Sequence, residues 1–376
     1  MRKMMALALA LVMCLCACTA FADGIKVATI GPLTGPYANY GKPVEDSLIL
    51  AAEHANAQGG IQFEVLPAQD DLGDGEKALT AYNKLKDDGL QVLLGTVTSG
   101  ACAAVAGRAV GERFFMLTPS ASADMVPEVG DNVFQICFTD SSQGAKAAEY
   151  IKSHELGTKI GIIYNNAQDY SAGIKAAFEA KAAELGLEIV KASAFSDDNA
   201  PDFSAQVNEV KQAGADLVFL PIYYTPEYKI LTYANSIEYA PIFYGVDGTD
   251  GILEQENVDA AIVEGLMYLT PYTPNSTDER TNAYTEAFRA KFGYDPNQFG
   301  ADEYDALFVL KALCEKAGVT AETAPAEACE LLIAAITAED FSFDGITGTM
   351  TWSADGTVTK EPKTAKIENG AYVMVE

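Results

Sequence analysis

Small polar residues after apolar runs, and one isolated aspartate, are the parts of this sequence equipped for chemistry. Gly95-Thr-Val-Thr-Ser-Gly-Ala101 leaves a strand-like run and opens an amphipathic stretch. Free N–H groups at such a helix start, aided by the dipole and the Ser99 hydroxyl, suit an anion. The plainer alternative is Ser99 as an N-cap. Thr118-Pro-Ser-Ala-Ser-Ala123 is a second small, polar segment that lets a ligand approach the backbone closely. Farther on, Asn165–Tyr170 and Tyr223-Tyr224-Thr225-Pro226-Glu227 each follow an apolar run, and Asp247 stands between Gly245-Val246 and Gly248. A lone loop aspartate is ordinarily a turn residue. Taken together, hydroxyls and helix N–H groups come from the first half, and aromatics with one carboxylate from the second. That set matches a zwitterion, its carboxylate at the helix start and its ammonium at Asp247.

Catalytic and metal chemistry find little footing. The chain has no G-x-S-x-G elbow, no C-x-x-C, no Walker A ending and no G-x-G-x-x-G. Its two histidines, His54 and His154, fall in helical stretches and read as surface residues, which leaves no multi-His metal site. Asp70-Asp-Leu-Gly-Asp-Gly-Glu76 starts like a calcium loop but has Leu72 at the third position and Ala81 at the twelfth. Neither a cofactor nor a metal is expected.

Strand and helix signals alternate along most of the chain. Strands at 25–30, 63–69, 91–94, 115–118 and 133–137 are separated by helices at 43–58, 74–88 and 99–112. A second series follows, with strands at 159–164, 188–192, 217–221, 242–245 and 265–269 and helices at 143–154, 172–185, 203–213 and 226–235. Such alternation predicts parallel sheets covered by helices on both faces, in two similar α/β domains. Three helical stretches, 276–292, 302–316 and 325–336, precede a Thr/Gly-rich β region with hairpin signals at Asp355-Gly356 and Asn369-Gly370. In open parallel sheets ligands bind beyond the carboxyl ends of the strands, which is where the residues above fall.

Composition agrees with a globular protein of about two domains: 376 residues, 49% of them hydrophobic. The net charge of −28 argues against nucleic acid and anionic lipid as partners. At the start, Arg2 and Lys3 precede an apolar run and then Ala20-Phe21-Ala22, a signal-peptide pattern (residues 1–22) cleaved before Asp23. Leu15-Cys-Ala-Cys18 resembles a lipobox that would retain a lipidated Cys18, though the spacer Thr19–Gly24 is short for a tether. Either way the protein is expected to be exported, periplasmic or extracellular. Cys102, Cys137, Cys314 and Cys329 lie beyond the signal. A bridge between Cys314 and Cys329, worth about 3 kcal/mol by loop entropy, competes with four buried thiols.

The run Ile25-Lys-Val-Ala-Thr-Ile-Gly-Pro-Leu-Thr-Gly-Pro-Tyr-Ala-Asn-Tyr-Gly41 resembles the mature start of leucine/isoleucine/valine-binding proteins, the periplasmic receptors of ABC transporters. Ala57-Gln-Gly-Gly-Ile61, Thr118-Pro-Ser-Ala-Ser122 and Gly348-Thr-Met-Thr-Trp352 follow the same family in order. The resemblance implies a type I periplasmic-binding fold: two Rossmann-like lobes (23–138 with 275–347, and 139–274 with 348–376) joined by three hinge crossings. It places the crossings near Phe138–Asp140, Leu269–Pro274 and Ile346–Thr349. It implies that Ser99 and Ser122 bind a ligand carboxylate, that Ser120 and Ala121 add backbone groups, and that Asp247 takes the ammonium. Tyr40, Tyr170, Tyr224 and Phe299 would line the cleft. The partners implied are an amino acid, branched-chain or otherwise aliphatic, and the subunits of a membrane permease, with the receptor itself a monomer and not an enzyme. Two departures are visible. Asp247 is one methylene shorter than the leucine-type glutamate, and no cysteine between the signal segment and Cys102 supplies the family's small disulfide. The alternative function is a sensor of the same fold for an amide, urea or aromatic acid.

Overall fold

The computed structural model describes residues 24–375; the signal segment and Cys18 lie outside the described residues. A first sheet is built from β1 (Ile25–Ala28), β2 (Phe63–Val65), β3 (Val92–Leu94), β4 (Met116–Thr118) and β5 (Val133–Gln135). Its order is β2-β1-β3-β4-β5, with every neighbouring pair parallel. Helices α1 (Ala38–Ala57), α2 (Gly75–Asp87) and α3 (Ser99–Glu112) connect these strands. Val92, Leu93 and Leu94 are fully buried, as strands covered on both faces must be.

The second sheet contains β6 (Lys159–Asn165), β7 (Glu188–Phe195), β8 (Leu217–Leu220), β9 (Ile242–Gly245) and β10 (Met267–Thr270). Its helices are α4 (Asp140–Ser153), α5 (Asp169–Leu185), α6 (Ser204–Gln212) and α7 (Tyr224–Ser236). The chain then returns to the first lobe through α8 (Glu279–Phe292), α9 (Gln298–Ala317) and α10 (Pro325–Ile336). Leu307, Leu310 and Leu313 of α9 share one apolar core with Val92, Leu94 and Leu117 of the first sheet.

The last stretch differs from expectation. After β11 (Phe343–Gly345), β12 (Gly348–Trp352) and β13 (Val358–Thr359) remain with the first lobe. Met350, Trp352 and Val358 join its core, and the Trp352 indole N–H donates to the Gln135 carbonyl at 2.7 Å. Only β14 (Lys363–Glu368) and β15 (Ala371–Met374) extend the second sheet, β14 running antiparallel to β10. The crossing expected at Ile346–Thr349, and the lobe boundary at 348, therefore move to the segment between Thr359 and Lys363. The physical reason is alternation: Met350 and Trp352 face inward while Thr349 and Thr351 face water, so this strand needs an apolar surface before the chain can cross.

That crossing is pinned. Lys360 is 6% exposed; its ammonium donates to the Asp302 carboxylate and, at 2.6 Å, to the Thr347 hydroxyl. Asp305 accepts from the N–H groups of Ile346 and Thr347, both at 2.9 Å. Gly345 is required here, because a Cβ would stand 2.3 Å from an Asp305 oxygen.

Of the two alternatives for the cysteines, the structure has the four buried thiols, without a Cys314–Cys329 bridge. Both are free thiols in the first-lobe core, where they pack as small apolar side chains, and burial pushes each thiol up to about 12.

Candidate functional site

The carboxyl ends of the two sheets face each other across a cleft, and the strand-end residues close on a small cavity of about 20 Å³. Tyr40, Ser99, Ser120, Tyr170, Asp247 and Phe299, all expected from the sequence, line it, joined by Val97, Thr98, Tyr223 and Gly248. No lysine or arginine is among the lining residues.

The first lobe supplies hydroxyls and a helix start. Thr98, not Ser99, is the N-cap residue of α3, and its side chain makes no capping bond. Ser99 is the first helical residue; its Oγ accepts from the Ala123 N–H at 3.2 Å. The Ser120 hydroxyl donates to the Val97 carbonyl at 2.8 Å, and Thr118 Oγ1 donates to the Thr96 carbonyl at 2.6 Å. These two bonds tie the loops after β3 and β4 into one rigid rim. The Thr98 Oγ1 is buried with no partner, facing the N-terminal end of a fourteen-residue helix.

Ala121 departs from its expected part. Its N–H donates to Thr118 Oγ1 at 3.0 Å and its carbonyl accepts from Gln135 Nε2 at 2.8 Å, so both backbone groups are already engaged inside the first lobe. Ser122, expected to meet the ligand carboxylate, is not among the lining residues; it is fully buried, with an unpartnered Oγ.

The second lobe supplies carboxylates and rings. Asp247 follows β9 and opens a short 3₁₀ turn. One of its oxygens accepts from the Tyr170 hydroxyl at 2.5 Å, and its N–H donates to Gln143 Oε1 at 3.0 Å. Burial pushes the Asp247 carboxyl up to about 6, against the opposing pull of the Tyr170 hydrogen bond and the nearby Gln143 amide. Gly248 donates its N–H to the Tyr170 oxygen at 3.1 Å, an approach that leaves no room for a Cβ, which would sit 2.6 Å from that oxygen.

Asp140 is a residue that the sequence reading used only to mark a hinge. It is fully buried at the start of α4, and its N–H donates to the Ser122 carbonyl at 2.9 Å. Both carboxyl oxygens lack a partner. Burial first, and the charge of Asp247 second, hold this carboxyl well above its ordinary range. Ser122 eases that cost from nearby, but the two side chains do not meet with hydrogen-bond geometry. Gln143, one helical turn on, also has a buried, unpartnered Nε2.

The aromatic wall is tight. Tyr223 stacks on Tyr170 with centroids 4.8 Å apart, and Tyr40 stands edge-on to Phe299 at 4.9 Å. Tyr224 occupies the layer behind: its ring meets Tyr40 at 4.7 Å and its N–H donates to the Tyr40 hydroxyl at 3.2 Å. Tyr40 in turn donates to the Gly248 carbonyl across the cleft at 2.5 Å.

Chemically, the arrangement opposes a helix start and hydroxyls on one lobe to the Asp247 carboxyl on the other, with buried Asp140 close behind it. The charge pattern suits a small dipolar solute, and among the lining residues no nucleophile is paired with a general base.

Residues 24–371 match the family described as periplasmic binding protein. The chain belongs to the periplasmic binding protein family. It is 32% identical over 320 residues to the Leu/Ile/Val-binding protein BraC3 of Rhizobium johnstonii, covering 83% of this chain and 84% of that one. It is 29% identical to the leucine-, isoleucine-, valine-, threonine- and alanine-binding protein of Pseudomonas aeruginosa, covering 83% and 82%. Among solved structures, the leucine-binding protein LivK of Thermotoga maritima superposes with a TM-score of 0.83 at 25% identity, over 94% of this chain and 98% of that one. The isoleucine complex of LivJ from Streptococcus pneumoniae gives 0.82 at 25% identity, over 94% and 99%. This periplasmic binding protein thus has the type I fold, and its relatives are named as binding proteins, not catalysts.

Proposed function

We infer that this periplasmic binding protein is the extracytoplasmic receptor of an ABC transporter, binding an amino acid with an aliphatic side chain between its lobes and presenting it to a membrane permease. The observation that carries the reading is that hydroxyls at a helix start and a buried carboxyl from the other lobe converge on one cavity. Ser99, Ser120 and Thr98, whose Oγ1 has no partner, line it from the first lobe, and Asp247 and Tyr170 line it from the second. Buried polar groups are ordinarily bonded, so an unpartnered one on the cavity wall marks where a ligand completes the network. In this reading the ligand carboxylate lies against the start of α3 with Ser99, Ser120 and Thr98. Its ammonium lies between Asp247 and Asp140, and its side chain among Tyr40, Tyr170, Tyr223 and Phe299. Binding favours the closed arrangement by differential affinity, the form that a permease can distinguish. Names of relatives that bind leucine, isoleucine and valine support the ligand class. Export through the signal segment and a monomeric receptor belong to the same reading.

The test is calorimetry against the amino acids, with benzoate, urea and acetamide in parallel. The reading expects saturable binding of leucine, isoleucine or valine. Binding of benzoate or urea with none by amino acids would replace it with the alternative solute classes.

A further inference from the structure

The mouth of the cleft carries a contact that the solute site does not use. Tyr37, at the end of the loop before α1, donates its hydroxyl to an Asp198 oxygen at 2.6 Å. Tyr37 belongs to the first lobe and Asp198 to the loop after β7 in the second. Within its own lobe Asp198 is already held by two amides, Asn165 Nδ2 and Gln168 Nε2, each at 2.7 Å. Asp198 is 5% exposed and Asn165 2%. The carboxylate is thus fixed and oriented before the lobes meet, with the tyrosine of the other lobe as its third donor.

We propose that Tyr37 and Asp198 form a latch that fastens the lobes over the solute without touching it. Tyr37 does not line the central cavity; it borders an outer groove of about 150 Å³ together with Gly73, Gln168 and Asp169. Its ring lies parallel to Tyr40 at 6.2 Å and edge-on to Tyr223 at 5.2 Å, so the latch sits directly over two rings of the inner wall. Burial and the neighbouring Asp198 charge raise the Tyr37 hydroxyl far above its ordinary range, which keeps it a donor at any working pH. Other bonds between this loop or the first turn of α1 and the second lobe are neutral: Asn39 Nδ2 to the Gly251 carbonyl at 2.9 Å, Thr225 Oγ1 to the Pro36 carbonyl at 3.0 Å, and Tyr40 to Gly248. The Tyr37–Asp198 bond ends on a carboxylate side chain, and hydrogen bonds to carboxylates are about twice as strong as those between neutral groups. Opening the lobes breaks it while leaving Asp198 with its two amides, so its energy enters the closing step alone.

This inference rests on the reading of the cleft as a solute site, and the experiment separates the two. Association and dissociation rates of leucine, isoleucine and valine are measured for the wild-type chain, Tyr37→Phe, Asp198→Ala and the double variant. Tyr37→Phe keeps the ring contacts and removes only the hydroxyl. The latch predicts about a tenfold faster dissociation for Tyr37→Phe, with association changed much less. It also predicts that the double variant dissociates no faster than Asp198→Ala alone, because the two side chains act as one unit. Tyr37→Phe rates within about twofold of wild type, or single effects that multiply in the double variant, would overturn it. If wild type binds none of the three amino acids, the solute reading has failed, and small-angle scattering of the solute-free chains decides the latch. A larger radius of gyration for Tyr37→Phe than for wild type then supports it, and superimposable profiles reject it.

Discussion

Asp247 shows how much a single side chain is asked to do. It is buried, it accepts from Tyr170, and it faces a second buried carboxyl at Asp140. A solute ammonium placed between them would relieve both. Asp247→Ala should therefore weaken amino-acid binding by about 1.5–3 kcal/mol or more, read by calorimetry, with circular dichroism unchanged. Wild-type affinity in that variant would remove Asp247 from the site. The carboxyl pushed up to about 6 gives a second test, because two quantities move in opposite directions. Affinity should fall as pH drops from about 7 to 5, since a protonated Asp247 no longer attracts an ammonium. Stability of the solute-free protein should rise over the same interval. The folded pKa lies above the unfolded value, so the folded state binds the proton more readily and the cost of a buried charge disappears below about 6. Asp71, up to about 6, and Asp250, up to about 7, add to this in the same sense. Asp70 and Asp216, both lowered through their hydrogen bonds, act in the opposite sense only at more acid pH. A melting temperature lower at pH 5 than at pH 7 would contradict the assignment.

The residue scale is also where the sequence was read best and where it ran short. The rule that strand ends carry the site located Ser99, Ser120, Tyr170 and Asp247 on the cavity wall, because it depends only on alternation and strand direction. It named the pair Tyr223-Tyr224, the resemblance chose Tyr224 for the cleft, and the cavity is lined by Tyr223 instead. Adjacent residues at a helix start point in directions set by the exact cap, and Tyr223 proves to be the N-cap residue of α7. Asp140 was legible by the same rule, as a carboxylate opening a helix just past a strand, but its proximity to Asp247 is a product of lobe packing. The interior engagement of Ala121 depends on Thr118 and Gln135. Those contacts are tertiary and leave no periodic trace.

Among elements, the one that positions Tyr40 is α1, which starts five residues before the proline expected to open it. Pro43 sits inside the helix without an N–H, leaving the Asn39 carbonyl without its usual i+4 donor. Asn297 Nδ2 fills that vacancy at 2.7 Å. The same residue caps α9 by accepting from the Gly300 N–H at 3.1 Å. One side chain thus registers two helices that both deliver rings to the cavity, Tyr40 and Phe299. The third crossing is registered by Lys360 and Asp302, whose side chains are each 2% exposed. Removing one partner of such a pair strands the other charge. Asp302→Ala should cost about 3–5 kcal/mol in urea unfolding, whereas replacing the pair with Lys360→Met and Asp302→Leu should cost markedly less. Equal losses in the single and paired variants would show that packing, not the stranded ammonium, sets the penalty.

At the scale of the molecule, the two sheets have separate cores, yet one apolar cluster is continuous across the cleft. Tyr40, Val44, Val97 and Phe299 from the first lobe pack with Ile222, Tyr224 and Ile252 from the second. A closed receptor therefore gains apolar burial in addition to the bonds that a solute would make, and those gains vanish together when the lobes part. Because only the closed, folded form offers both charged ends of the cleft at once, a solute should raise the stability of the whole chain, not of one lobe. At a free concentration of about 100 times Kd the increment is about 2.7 kcal/mol, a rise of several degrees in Tm. In scanning calorimetry the bound amino acid should draw both lobes into one transition at the higher temperature. Asp247→Ala, tested at the same solute concentration, should keep at most about half of that increment over its own solute-free form, about 1.3 kcal/mol or less. A solute that stabilised only one of two separable transitions would be bound by a single lobe, and the picture of a ligand gripped from both sides would fail with it.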